Sequence, residues 1–199
     1  MAAHAEFTLT ANKKFEEIGF DKVMAKFSQL HMLKIVIVDK LQIDRADAAD
    51  AIRNTCPNIE ELDLSRNRFE KLDDVARLCA ALPKLRALRL SGNRFGCLAV
   101  SDAGAFTHVR TLELANVLLP WPQLGALLSL FPNLTSLVAP NNNISSIPSP
   151  APLPPKLETL DLSHNTFSAF AAIAAALLAL FVLGEPISEI GRASCRERV

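Results

Sequence analysis

The chain has 199 residues, half of them apolar, and its 21 basic and 21 acidic side chains give a formal net charge of zero. That apolar share suffices for one continuous core. The bases are dispersed among the acids and no aromatics interleave with them, so no nucleic-acid partner is expected. The longest apolar run, Ala169 to Leu183, has 15 residues, short of the roughly 18 that a membrane span needs, so no membrane partner is expected.

The first residues, "MAAHAEFTLT", contain neither a basic stretch nor an apolar one of the secretory kind, which predicts a cytoplasmic protein. Residues 1–32 read as a linker and a capping helix whose apolar side chains include Phe20, Val23 and Phe27. From Leu33 onward one pattern recurs, L-x-x-L-x-L-x-x-N-x-L. It begins at Leu33, Ile59, Leu85, Val109, Leu134 and Leu157, at intervals of 26, 26, 24, 25 and 23 residues. This is the period of leucine-rich repeats, about 20 to 29 residues.

In each unit, positions 4 and 6 face inward from a short strand, because side chains alternate along a strand. Positions 1 and 11 face inward as the chain enters and leaves. An asparagine at position 9 has donors and an acceptor for the backbone groups that the turn leaves unpaired. Asn67, Asn93, Asn142 and Asn165 are therefore expected to form a structural ladder. Leu41 and Val117 hold that position in the first and fourth units, and an altered turn is expected in the fourth.

Between the strands the spacing turns helical. "DDVARLCAALP" places Val75, Leu78, Cys79 and Leu82 on one face. Asp73 or Asp74 is the expected N-cap there, and Asp44 the cap of "DRADAADAIRNTCP". "WPQLGALLSLFP" has Pro122 in its first turn and Pro132 after its end. The proline-rich passage through Pro148 and Pro155 is expected to be extended. The predicted fold is thus an α/β leucine-rich-repeat solenoid over residues 33–183. It has about six repeats, with parallel strands on the concave face and helices on the convex face.

On the concave face, positions 3, 5 and 7 point outward, and repeat proteins bind partners there. The candidate contacts are Ile35, Ile37, Asp39, Glu61, Asp63, Arg89, Glu113, Val138 and Asp161, a mixed strip of acid, base and apolar groups. Arg89 is singled out, since arginine is enriched at binding hot spots. The four cysteines contain no C-x-x-C and are read as buried free thiols of a reducing compartment. Asp161, Ser163 and His164 are neighbours in sequence but lack a second cluster to form an oxyanion hole. No phosphate loop or metal-ligand spacing occurs. Neither catalysis nor a cofactor nor a metal is expected.

Residues 184–199 are read as a truncated end. Their last ten, "IGRASCRERV", read as a translated sequencing-library adapter and are excluded from fold reasoning. Without them the remainder carries about −2, since three arginines and one glutamate are removed.

The segment "FEEIGFDKVMAKFSQLHMLKIVIVDKLQI", followed by "CPNIEELDLSRNRFEKLDDVARLCAALPKLRALRLSGNRF", resembles the repeat region of the tubulin-folding cofactor E family. The resemblance runs from about Phe15 to Phe167. It implies a non-enzymatic chaperone that binds α-tubulin. With the other tubulin-folding cofactors it would act in assembling and dissociating the α/β-tubulin heterodimer, in a cytoplasmic, cytoskeleton-associated setting. The family's CAP-Gly and ubiquitin-like domains have no counterpart in this sequence, so the chain is expected to be an internal piece of a longer protein. A different intracellular leucine-rich-repeat adaptor, of the phosphatase-regulator or splicing-scaffold type, shares the fold and stays open as the alternative.

Overall fold

The computed structural model describes residues 29–147 and 153–168. The chain divides into two compact units, 1–30 and 31–199, and the repeats belong to the second. The expected capping helix, the apolar run from Ala169, the tail at 190–199 and the prolines between 148 and 152 lie outside the described residues.

Six three-residue strands, one per repeat, form a single parallel sheet in chain order. They are β1 (Ile35–Ile37), β2 (Glu61–Asp63), β3 (Ala87–Arg89), β4 (Thr111–Glu113), β5 (Ser136–Val138) and β6 (Thr159–Asp161). Each occupies positions 3 to 5 of its unit, and the register pairs equal positions, as in Val36 with Leu62 and Leu62 with Leu88. The sequence period therefore becomes columns of like residues across the sheet. The inward column of Leu62, Leu88, Leu112 and Leu137 is buried, while Val36 and Leu160 at its two ends are only partly buried. Each fully buried leucine contributes about 1.5–3 kcal/mol of apolar burial. The inner units thus hold more of the stability than the end units.

A second layer packs on the sheet. Helix α1 (Ala49–Thr55) follows β1, α2 (Leu72–Ala81) follows β2 and α3 (Trp121–Leu128) follows β4. Val75, Cys79 and Leu82 are buried as the α2 spacing predicts, with Leu78 partly buried. The expected caps are not used. Lys71 stands at the α2 N-cap, and Asp73 and Asp74 lie inside the first turn. The Leu72 N–H donates instead to the Cys97 carbonyl of the next unit, at 2.9 Å. The Asp73 carboxylate accepts from the Ser101 N–H at 2.7 Å, which holds its carboxyl below the ordinary range. Asp74 pairs with Arg77 at 2.6 Å. Helix α1 starts after Ala48 with no side-chain cap, and Asp44 pairs with Arg45 instead.

The third unit departs from the strand–helix plan. Its return passage is built of turns, with Gly104 N–H bonded to the Asp102 carboxylate at 2.8 Å. "SDAG" supplies turn formers and no helical run of apolar residues. Phe106, fully buried, fills the layer there and stacks on Phe131 with ring centroids 4.4 Å apart.

Every unit leaves its strand through a left-handed residue at position 8, namely Lys40, Arg66, Gly92, Asn116, Asn141 and His164. At Gly92 a Cβ would lie 2.9 Å from Arg66 Cγ, so glycine answers both a steric and a conformational demand. The fourth turn is altered as expected, with Leu118 also left-handed. Gln42 and Asn143 show the same second excursion. Because the fifth unit has its asparagine, the missing rung is not the whole cause.

Candidate functional site

The asparagine ladder ties together the turns that follow the strands. Asn93 Nδ2 donates to the carbonyl of its own Leu90 at 2.9 Å and to Leu64 of the preceding unit at 3.0 Å. Its Oδ1 accepts from the Phe69 N–H at 3.3 Å. Asn67 makes the same bridge to Val38 and Ile43, Asn142 to Leu114 and Val117, and Asn165 to Ala139 and Ile144. Each asparagine thus fastens one unit to the one before it. At the joint where Val117 replaces asparagine, Ser91 Oγ accepts from the Ala115 N–H at 3.1 Å and Arg94 donates to the Asn116 carbonyl at 2.6 Å. Sequence reasoning missed these two substitutes, which are visible only when the units are stacked.

The strand register sets the position-5 candidates side by side in the order Ile37, Asp63, Arg89, Glu113, Val138, Asp161. Ile35 and Glu61 occupy position 3 beside them. At β1 the face is apolar and open, with Ile35 56% and Ile37 67% exposed. Over the middle strands it is charged and internally neutralised. Arg89 donates to Glu113 at 2.9 Å and to Glu61 at 3.4 Å, which raises its affinity for its proton. Val138 is half-buried on β5.

Three candidate acids have local duties. Asp63 accepts from the Ser65 N–H at 2.9 Å, and Asp161 from the Ser163 N–H at 2.8 Å. Each carboxylate thereby holds the bend that follows its strand. Asp39 is bound by Arg66, through Nε at 2.8 Å and through a second contact from Nη2. That hydrogen bond holds its carboxyl below the ordinary value. Arg66 was not singled out from sequence. Its left-handed position 8 is what turns it back onto the preceding unit.

His164 is exposed at the same left-handed position, and Asp161 is engaged with the Ser163 backbone rather than with an imidazole. Among the described residues no group of three His, Cys, Asp or Glu side chains is placed to hold a metal. Among them also no helix is long and apolar enough to cross a membrane. Cys79 is buried as expected, Cys56 is half-buried, and burial raises both thiols. Cys97 is exposed, contrary to expectation; it stands in a parallel bridge with Lys71, its backbone bonded to Glu70 and Leu72.

Family models for leucine-rich repeats match residues 132–172, as two copies, and residues 55–71. Tubulin-specific chaperone E of Bos taurus is 30% identical over 162 residues, covering 80% of this chain and 31% of that protein. The Homo sapiens protein of the same name is 30% identical over 155 residues, 77% of this chain and 29% of its own length. The Danio rerio protein is 29% identical over 166 residues, 81% of this chain and 31% of its length. The chain spans under a third of the length of the curated relatives it matches. With its six-stranded parallel sheet and asparagine ladder, it is a leucine-rich-repeat protein that is similar, over about four fifths of its sequence, to tubulin-specific chaperone E.

Proposed function

We propose that this chain is the tubulin-binding repeat region of a non-enzymatic chaperone. It takes α-tubulin on its concave face and, with other tubulin-folding cofactors, takes part in assembling and dissociating the α/β-tubulin heterodimer in the cytoplasm, beside the cytoskeleton. The observation that carries this reading is the similarity to tubulin-specific chaperone E over 80% of the chain. The surface supports it in two ways. A sheet whose turns are fastened unit to unit presents its side chains preorganised, so little ordering entropy opposes binding. At β1, Ile35 and Ile37 form an exposed apolar anchor beside the charged strip of Glu61, Arg89 and Glu113.

From their exposure, burying Ile35 and Ile37 is worth about 1–2 kcal/mol each. The test is capture of purified α/β-tubulin by the immobilised protein, beside the same protein carrying Ile35→Ser and Ile37→Ser. The reading predicts capture by the parent and at least about tenfold weaker capture by the variant. Equal capture by a variant with an unchanged circular dichroism spectrum rejects the concave face. No capture by the parent rejects tubulin as a partner of this piece.

A further inference from the structure

Position 2 of each repeat lies just before its strand, outside the concave strip. The residues there are Lys34, Glu60, Arg86, Arg110, Thr135 and Glu158. The backbone stacks them in a column: the Arg110 N–H donates to the Arg86 carbonyl, Thr135 to Arg110 and Glu158 to Thr135, each at 2.8 Å. Neighbours in such a column stand one strand spacing apart, about 4.8 Å. At its start the charges cancel, since Lys34 pairs with Glu60 at 2.9 Å. In its middle they do not. Arg86 and Arg110 are adjacent and exposed, and neither guanidinium has a hydrogen bond or ion pair among the described residues; Glu60, already bonded by Lys34, is the carboxylate beside Arg86 and feels its charge, so the excess positive charge falls at Arg110. Like charges directly opposite on neighbouring strands are destabilising. On the concave face the same fold encloses its arginine between two carboxylates.

Arg86 and Arg110 border a cleft of about 650 Å³ that His108 and Lys156 also line. Lys156 is fixed there by Asn133, to which its Nζ donates at 2.6 Å. Glu158 is the one carboxylate among the lining residues. We propose that this rim, centred on Arg86 and Arg110, docks an acidic peptide segment of a partner protein. Side-chain carboxylates of the segment would complete the charge pairing that the column lacks. Converging cations in a cleft raise the local concentration of anionic ligands and speed their capture. The rim has no phenyl or indole platform for bases, and His108 is the one aromatic ring among the lining residues, which favours a peptide over a nucleic acid. This site is separate from the concave face and stands or falls independently of the tubulin reading.

The experiment is fluorescence anisotropy of a labelled oligoglutamate peptide with the full chain. Oligoglutamine serves as the neutral control and oligothymidylate as the nucleic-acid comparison. Expected is oligoglutamate binding that weakens as salt shortens the screening length below about 8 Å. It should fall at least about tenfold in Arg86→Gln with Arg110→Gln. It should be unchanged by Ile35→Ser with Ile37→Ser. Absence of oligoglutamate binding by the parent overturns the proposal, as does equal binding by the double variant or tighter binding of oligothymidylate. A second variant keeps the test independent of the peptide. Arg110→Glu places a carboxylate beside Arg86, so its melting temperature should equal or exceed the parent's while peptide binding is lost. A lower melting temperature overturns the claim that the column carries excess positive charge there.

Discussion

Replacing Asn93 with alanine tests whether the ladder holds the units together. Asn93 is fully buried and bridges three backbone groups, the Phe69 N–H and the carbonyls of Leu64 and Leu90. The carbonyls keep other donors after the change, Asn67 Nδ2 at 2.9 Å for Leu64 and the residue-93 N–H at 3.4 Å for Leu90. The Phe69 N–H keeps none. One orphaned buried donor costs about 1–3 kcal/mol, and each lost bond to a carbonyl about 0.5–1.5 kcal/mol. The expected loss is about 3 kcal/mol, within a range of about 2–6. For a domain of this size that lowers the melting temperature by about 6–12 °C. Urea unfolding followed by circular dichroism reads it as a lower midpoint at unchanged slope. Asn165→Ala is the control. Asn165 makes at least as many bonds but is half-exposed, so water replaces them and the cost is about 1 kcal/mol. A loss below about 1 kcal/mol for Asn93→Ala, or one no greater than that for Asn165→Ala, refutes burial as the source of the ladder's strength.

Exchanging the signs of the concave triad, with Arg89→Glu, Glu61→Arg and Glu113→Arg, should leave stability within about 1 kcal/mol of the parent, as expected for half-exposed pairs. A larger loss in urea means the triad is held by geometry rather than charge. Acid should destabilise the domain in a defined window. Asp39, Glu60 and Asp73 have depressed folded-state values, owing respectively to Arg66, Lys34 and the Ser101 N–H. Their contribution is complete above the unfolded-state carboxylate values and is lost as pH falls through the lower folded ones. The unfolding midpoint should therefore be flat above about pH 5 and fall below about pH 4, with a shallower fall in the Asp39→Asn, Glu60→Gln, Asp73→Asn variant. Among the described cysteines, a thiol reagent should label exposed Cys97 first and buried Cys79 only on unfolding, readable by peptide mass spectrometry. Early labelling of Cys79 contradicts the packing of α2.

The repeat frame was legible because its period is long and its register constant. Counting from Leu33 places all six strands and the four ladder asparagines. The features that escaped depend on contacts between units. The α2 cap was sought in Asp73 and Asp74, but the Leu72 N–H is satisfied by the Cys97 carbonyl, a residue of the next repeat. The plan of one helix per unit failed after β3, where "SDAG" signals a turn and the interval is 24 residues, two shorter than in the units before it. The left-handed position 8 left a partial trace, as glycine or asparagine in three of six units. Arg66, Lys40 and His164 adopt the same conformation under tertiary constraint, without that trace. The candidate residues were legible as a face, but their engagements were not. Nothing local tells that Arg89 is shared between Glu61 and Glu113, or that Asp63 is occupied by Ser65. The rim escaped for a related reason. Arg86 and Arg110 are 24 positions apart and look dispersed until the sheet makes them neighbours.

The measurement that tests the central claim most directly is side-chain footprinting of the protein with and without saturating α/β-tubulin. A short-lived carbene label, read residue by residue in the mass spectrometer, suits it. Ile35 and Ile37 are open in the free protein, whereas Leu118, 46% exposed, leaves its strand by the turn and serves as an internal reference. A tubulin-binding concave face predicts that labelling of Ile35 and Ile37 falls on adding tubulin while that of Leu118 is unchanged. Unchanged labelling of Ile35 and Ile37 at saturating tubulin contradicts it.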